Sequence, residues 1–266
     1  MAIEQVRRRD IVRLCDEVEV ASGPTAGDKA FAVIGKLLRW HAARSDDYVP
    51  PLVRGMRKKT KSERERVLSD AEITAIWRAC GACPDVFARL VMFLLVTGQR
   101  RDEVGRMTWE EIAGDTWVIP ASRYKTGLAH AVLLTAAARR LIEAAPHRTD
   151  FVFSNNGGKT PIGGHSRLKA ALDKAAGVGG PKGTSEHWQL HDLRRTTRSL
   201  MSRAGIARDI AERAVGHKVG TPVERIYDRH TYADEKARAL QALAGIIERI
   251  VNPQNNVMLF EATSAA

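Results

Sequence analysis

Gln189-Leu190-His191-Asp192-Leu193-Arg194-Arg195-Thr196 sets a histidine and an arginine three residues apart, just as a helical pattern begins. Residues at i and i+3 share one face of a helix, so we expect His191 and Arg194 to point at the same small volume. A guanidinium with a rigid fork of donors, beside a group that titrates near neutral pH, suits phosphate chemistry. Because His-x-x-Arg also occurs by chance on basic helices, the rest of the chain must supply the partners for such a site.

The composition favours a polyanionic partner. The 266 residues carry a formal net charge of +11 and a pI of about 9.9, and nucleic acid is the commonest partner of so basic a chain. The alternative is a basic housekeeping protein such as a ribosomal one. Cys80 and Cys83 have the spacing of a redox or metal motif, but no second Cys/His pair completes a zinc site, and we interpret them as a helix end.

The sequence contains no signal-peptide pattern and no apolar run near the roughly 20 residues that span a bilayer. We therefore expect a cytoplasmic, nucleoid-associated protein without a membrane partner. A run of basic residues from Arg54 to Arg66 lacks apolar periodicity, which predicts an exposed linker or simply a solvated connector. After it, Ser69 and Glu72 form a capping-box pattern that predicts the start of a new domain.

Apolar periodicity predicts mostly helices, with two strands near the middle of the chain. The predicted helices cover residues 4–20, 26–45, 86–96, 100–107, 136–144, 166–176, 191–204, 206–215 and 233–250. The predicted strands cover 117–120 and 130–134, and they are joined by a loop with Lys125 at its tip.

Further residues complete the pattern around His191 and Arg194. Thr97-Gly98-Gln99-Arg100 follows a buried helix, and Glu103, three residues later, is placed to hold the Arg100 guanidinium. Lys125 follows in the hairpin, then Gly216-His217, and finally Tyr227. Each of these features is common by itself: Arg100 could belong to an ordinary helix start, Lys125 to an ordinary loop, and Tyr227 to a packed surface. Their complete order is far more specific.

This order resembles the tyrosine recombinases, in particular the integrases of phages and genomic islands. The resemblance covers Arg66 to Ile250, and more loosely Ile11 to Val53. It implies, together with the helical pattern, a mainly α fold with a small antiparallel β-sheet. It also divides the chain into a partial core-binding helical domain with a basic linker (1–62), a catalytic integrase domain (63–251) and a C-terminal tail (252–266).

The resemblance implies a role for each matching residue. Tyr227 would attack a DNA phosphodiester and form a 3′-phosphotyrosine link. Arg100 and Arg194 would hold the phosphate oxygens. Lys125 would donate a proton to the leaving oxygen, and His191 would accept the proton of the tyrosine. His217 would form a hydrogen bond with the phosphate, and Glu103 would orient Arg100. Neither a metal nor another cofactor is needed, because the two guanidinium groups supply the positive charge.

Two departures from the family leave alternatives open. The interval from His217 to Tyr227 is one residue longer than usual, so Tyr232 is the alternative nucleophile. The N-terminal part is short, which indicates a fragment or a truncated product. We therefore weigh a site-specific recombinase that integrates or excises a mobile element against a DNA-binding remnant without catalysis and against type IB topoisomerase-like relaxation.

The expected partners follow from the same resemblance. They are double-stranded DNA at attachment sites, three further copies of the chain in a tetramer, and an accessory DNA-bending protein. The basic residues predicted to contact DNA are Arg57, Lys58, Lys59 and Lys61. The apolar patch at 257–260 either docks onto a neighbouring protomer or packs within its own domain.

Overall fold

The computed structural model describes residues 2–57, 65–124, 127–145, 150–181, 184, 186–221, 223, 227–228 and 230–253. The chain divides into two compact units, Met1–Arg64 and Glu65–Ala266.

The first unit contains two helices, α1 (Arg8–Ser22) and α2 (Pro24–Ala42), after a short 3-10 turn at Ile3–Gln5. Gly23 joins the helices at φ 87°, which glycine adopts readily, and Pro24 then begins α2, where its missing N–H costs nothing. A small cluster of buried side chains lies between the helices. It consists of Ile11, Cys15 and Leu38.

Arg57 does not lie in an exposed linker as predicted. Its side chain is only 13% exposed, and it forms ion pairs with Glu19, with Asp28 at 2.7 Å and with Asp16 at 3.7 Å. Since these carboxylates lie on the helical hairpin, Arg57 stabilises this unit. We therefore leave it out of the DNA contacts proposed below. Lys58, Lys59 and Lys61 lie outside the described residues.

The second unit is mainly helical. Its helices are α3 (Asp70–Ala82), α4 (Val86–Thr97), α5 (Arg101–Gly105), α6 (Ala136–Glu143), α7 (His165–Ala176), α8 (Leu190–Arg203), α9 (Arg208–Ala214) and α10 (Ala233–Val251). A 3-10 turn at Trp109–Glu111 precedes the sheet. The Ser69 hydroxyl accepts a hydrogen bond from the Glu72 N–H, so the predicted capping box is present at the start of α3.

A three-stranded antiparallel sheet, ordered β1-β2-β3, follows α5. Its strands are β1 (Ile112–Ala113), β2 (Thr116–Ile119) and β3 (His130–Leu133). Trp117 pairs with Val132, and both side chains are buried, as the two-residue alternation of a half-buried strand requires. Strand β1 was not predicted, because two residues are too few to show an alternation. The fold class, mainly α with a small antiparallel sheet, is confirmed.

Helix α4 lies at the centre of the second unit. It is buried on almost all sides and packs against α8, α6 and α3. Helix α10 closes the core against α9, α3 and α8. Cys80 is buried in α3, Cys83 is exposed at its C-cap, and both are free. None of the described helices combines the length and the apolar content that a membrane crossing needs.

Candidate active site

Arg100 lies where the buried helix α4 turns into α5. Gly98 ends α4 at φ 65°, and Arg100 is the N-cap of α5. Glu103 does two things here: its Oε2 accepts the Arg100 backbone N–H at 3.1 Å, and its Oε1 accepts from Arg100 Nη1 at 2.7 Å. Burial alone would lower the pKa of Arg100, but the hydrogen bonds and charges of Glu103 and Tyr124 together outweigh it, and the pKa is raised. Arg100 is therefore a permanently charged group in a fixed position.

Arg194 is a buried cation with an unused donor. Its side chain is on α8, the residue is 4% exposed, and its Nη1 donates to the Gly98 carbonyl at 2.8 Å. Among the described residues, nothing accepts a hydrogen bond from its Nη2. Burial, and then the neighbouring charge of Arg100, lower the pKa of Arg194 to about 10. Because a buried charge is costly unless it is paired, this position favours an anion.

His191 lies in the first turn of α8. The helix begins at a capping box, in which the Gln189 N–H donates to Asp192 Oδ2 at 2.8 Å. Partial burial, followed by the charges of Arg195 and Arg194, lowers the pKa of His191. The imidazole is therefore neutral near pH 7, and a neutral imidazole can accept a proton.

His217 follows α9 in a Schellman motif. Gly216 has φ 78°, its N–H donates to the Arg213 carbonyl at 3.0 Å, and the His217 N–H donates to the Glu212 carbonyl at 2.8 Å. The Tyr124 hydroxyl donates to the Gly216 carbonyl at 2.8 Å. A Cβ on residue 216 would lie 1.6 Å from that hydroxyl, so only glycine fits. The backbone before His217 is thus fixed from two sides.

These side chains surround two neighbouring grooves. One groove, of about 400 Å³, is lined by His191, Arg194 and His217 together with further α8 side chains. The other, of about 690 Å³, is lined by Arg100 and again by His191. No group of three or more His, Cys, Asp or Glu side chains suited to a metal ion occurs among the described residues. We call the two arginines, Arg100 and Arg194, the cationic floor of these grooves; His191 and His217 line the grooves beside them.

A family model, that of the phage integrases, matches residues 56–234. The chain belongs to the phage integrase family. It is 27% identical over 164 residues to the prophage integrase IntA of Escherichia coli (strain K12), a match that covers 60% of this chain and 38% of that protein. The chain therefore spans well under half the length of this relative.

Solved structures share the fold of this family member. A lambda integrase dimer bound to a COC′ core site is similar with a TM-score of 0.64 and 18% identity, over 81% of this chain and 80% of that one. The XerH site-specific recombinase bound to difH has a TM-score of 0.57 and 18% identity, over 89% and 70% of the two chains. The Tn1549 transposon integrase in complex with circular intermediate DNA has a TM-score of 0.56 and 15% identity, over 91% and 86%.

In this integrase-family chain, the two neighbouring grooves are lined by Arg100, His191, Arg194 and His217, and Glu103 contacts Arg100. The roles of these five residues stay predictions. Tyr227 is 81% exposed and is not among the residues lining either groove. Lys125 lies outside the described residues.

Tyr232, the alternative nucleophile, is held by its neighbours. Its backbone is left-handed at φ 52°, and its hydroxyl donates to Asp228 Oδ2 at 2.8 Å. The Arg213 guanidinium lies 3.9 Å from the centre of its ring. The hydrogen bond to Asp228, more than any other factor, raises the pKa of Tyr232, which makes its phenol a poorer nucleophile.

The sequence analysis missed three residues of this site. The Tyr124 ring stacks on His130 at 5.0 Å and lies 5.3 Å from the Arg100 guanidinium carbon. Burial, and then the charge of Lys236, lower the pKa of His130 to about 3, so its ring stays neutral. The third is Glu212, which contacts the His217 ring. Only Glu212 had a sequence signal: it lies five residues before His217, in a helix that ends at the Gly216-His217 pair.

Proposed function

We propose that this chain is the catalytic part of a site-specific DNA recombinase that cleaves and rejoins strands through a 3′-phosphotyrosine intermediate. Its substrate class is double-stranded DNA at the ends of a mobile element. Family membership and the cationic floor between α4 and α8 support this proposal together.

The observation that carries the proposal is the Nη2 of Arg194, for which the described part of the chain supplies no hydrogen-bond acceptor. A guanidinium so buried, with one N–H donating to Gly98 and another left over, needs an anion to complete its hydrogen bonding. The nearby Arg100 makes this need stronger, because two cations repel each other until a negative group lies between them. A DNA phosphodiester supplies that group, and its charge grows as a fifth oxygen attacks the phosphorus.

The roles then follow in order. The Tyr227 phenolic oxygen attacks phosphorus and passes its proton to the neutral His191 imidazole. The bond to the 5′-oxygen breaks, and that oxygen receives a proton from Lys125. Arg100 and Arg194 stabilise the charge of the transition state, His217 donates to a phosphate oxygen, and Glu103 holds Arg100. Rejoining reverses these steps with a new 5′-hydroxyl, so no energy source is consumed.

We favour Tyr227 over Tyr232 as the nucleophile. The Tyr232 hydroxyl is engaged by Asp228 and its ring by Arg213, whereas the Tyr227 side chain is exposed. An attacking phenol must reach a phosphate on a large substrate, and an exposed group satisfies that requirement.

The wider assembly is also part of the proposal. We infer a partial core-binding domain in residues 1–62, a catalytic domain in 63–251 and a C-terminal tail in 252–266. DNA contacts are assigned to Lys58, Lys59 and Lys61. A lambda integrase of the same fold forms a tetramer bound to a Holliday junction, which supports a tetramer here. We expect the protein to act in the cytoplasm, at the nucleoid, with an accessory DNA-bending protein.

The test is covalent trapping. The protein is incubated with nicked duplexes taken from the ends of its own mobile element and is then quenched in detergent. We expect a protein–DNA band that disappears in Tyr227→Phe and persists in Tyr232→Phe. Loss of the band in Tyr232→Phe alone would move the nucleophile to that residue.

Two further outcomes decide between the other activities. Absence of the band from every form, with DNA binding that weakens steeply as salt rises, would indicate a binding protein without catalysis. Relaxation of supercoiled DNA without exchange of strands between duplexes would indicate a topoisomerase-like activity.

A further inference from the structure

The Schellman motif at the end of α9 places Glu212 against His217. In this motif the residue after the left-handed glycine returns to the residue five positions before it, and an apolar pair usually meets there. Here the pair is a carboxylate and an imidazole: His217 Nδ1 and Glu212 Oε2 form a short hydrogen bond. The contact is therefore fixed by the backbone as well as by the hydrogen bond between the two side chains.

The Glu212 carboxylate decides which His217 nitrogen carries a proton. Burial alone would raise the pKa of Glu212, but the hydrogen bonds from His217 and Arg198 lower it below its ordinary value. Glu212 is therefore ionised and can only accept hydrogen bonds. Consequently Nδ1 of His217 must be the donor, and Nε2 is left for the groove that His217 lines.

The same carboxylate connects His217 to α8. Glu212 Oε1 accepts from Arg198 Nε at 2.8 Å, and Arg198 lies one helical turn after Arg194. Arg198 Nη1 in turn donates to Ser202 Oγ at 2.6 Å on the same helix. Glu212 thus fixes the His217 ring relative to the helix that carries Arg194.

We propose that Glu212 is a positioning residue: it keeps a proton on His217 Nδ1 and aims Nε2 at the phosphate that Arg194 binds. Because Glu212 accepts from Nδ1, Nε2 donates to that phosphate when the ring carries its second proton. The effect of this residue on the rate rests on the proposed function, whereas its effect on the His217 tautomer does not. Glu212 itself touches neither DNA nor the reacting atoms, and it acts only through His217.

The kinetic test is Glu212→Gln, in which an amide of the same shape loses the negative charge and gains competing donors. We expect the single-turnover rate of phosphotyrosine formation to fall by about tenfold to a hundredfold, the range seen when the hydrogen-bond partners that orient metal-binding histidines are lost. The dissociation constant for DNA should stay within about twofold, because the phosphate-binding arginines are untouched. A substitution that merely unfolds the region would change both quantities.

A double-mutant cycle separates positioning from general support. If Glu212 acts through His217, the Glu212→Gln substitution has no further effect on the rate in a His217→Ala background. Equal losses of rate in both backgrounds would overturn the proposal. Glu143→Gln is the matched control, since Glu143 also accepts from an arginine, Arg139, but on the distant helix α6. It should leave the rate unchanged.

The tautomer can be read without DNA. With ¹⁵N-labelled histidine, the long-range proton–nitrogen couplings of the ring show which nitrogen is protonated, and the His217→Ala variant identifies the signals of residue 217. We expect protonated Nδ1 in the wild-type protein and a mixture of tautomers in Glu212→Gln. Unprotonated Nδ1 in the wild type, or no change in the variant, would overturn the proposal.

This measurement also separates the two proposals. Failure of the wild-type protein to form any phosphotyrosine would reject the proposed function, while the ring signals still decide whether Glu212 sets the tautomer. Normal cleavage by Glu212→Gln with an altered tautomer would reject the positioning role and leave the recombinase proposal standing.

Discussion

The candidate site has two halves that differ in how they are held. The buried half consists of Arg100, Glu103 and Arg194, and it is built from the start of α5, directly after core helix α4, and from the first half of α8. The exposed half consists of His217, which follows the short helix α9, and of Tyr227. Arg194 is 4% exposed and Tyr227 is 81% exposed. The guanidinium groups are therefore fixed against the core, and the proposed nucleophile is at the surface.

The difference has an electrostatic reason. Guanidinium groups act most strongly on an anion where little water screens them, and their positions must not change as charge develops. Placing them against the core supplies both conditions. A phenol that attacks a duplex needs access instead, and loop segments supply access at little cost in stability.

The largest effect, on the free energy of unfolding, should come from Gly98→Ala. This substitution disturbs the packing between α8 and the end of α4, next to the buried half. An alanine Cβ there would lie 2.6 Å from Thr197 Cγ2 on α8, in a backbone conformation at φ 65° that alanine disfavours. We expect a loss of about 1–2 kcal/mol for the conformation and about 1–3 kcal/mol for the overpacking. Urea unfolding followed by fluorescence of the buried Trp117 and Trp188 measures it.

Gly114→Ala is the matched control for this prediction. Gly114 also has a positive φ, 55°, but a Cβ there would meet no atom within 4 Å. Gly114→Ala should therefore lower the free energy of unfolding only by the conformational part, about 1–2 kcal/mol. Equal losses for the two variants would mean that the close approach of α4 and α8 does not hold the buried half together.

The second effect, on the reaction rate, should come from Arg194→Lys. A lysine has one charged nitrogen on a flexible stem, so it cannot donate to the Gly98 carbonyl and to a phosphate in two fixed directions. We expect the rate of phosphotyrosine formation to fall by roughly 10²–10³-fold. Arg203→Lys, at the exposed end of the same helix, is the control and should cleave normally. A loss of only a few-fold would show that rigid burial of Arg194 is dispensable.

The same division explains what the sequence can predict. The capping box at Ser69 and Glu72 predicts the start of α3, because a cap is decided by four neighbouring residues. The helix pattern likewise placed His191 and Arg194 on one face. Strand β1 was missed because its two residues are defined by pairing with Trp117 and Thr116, not by their own pattern.

The residues missed or misjudged depend on contacts between distant parts of the chain. Arg57 looked like a linker residue, since its partners Glu19 and Asp28 lie about 30 to 40 residues earlier. The role of Tyr124 depends on a hydrogen bond to Gly216, 92 residues later. Glu212 is different, because a helix-ending glycine fixes its distance from His217 locally. Local geometry is readable from a sequence, and tertiary proximity is not.

The smallest effect should be a shift in the pH dependence of the cleavage rate in Arg195→Gln. Arg195 lies next to Arg194 on α8 and acts on His191 through its charge. Partial burial, and then the charges of Arg195 and Arg194, lower the pKa of His191 below 6.5. As a proton acceptor, His191 must be neutral, so the wild-type rate should persist below pH 6.5 and fall only as the pH drops through this lowered pKa. Removing the Arg195 charge lets the pKa rise, and the acid limb of the rate profile should move to higher pH.

Cleavage rates measured from about pH 5 to about pH 8 show the shift, because histidine titrates in this range. Glutamine at position 195 can still donate to Asp192, which Arg195 contacts at 2.6 Å, so the start of α8 should survive. Arg203→Gln removes an arginine from the far end of the helix and should leave the acid limb in place. If the acid limb of the rate profile does not move in Arg195→Gln, a group other than His191 titrates there. The proton acceptor would then be a residue other than His191.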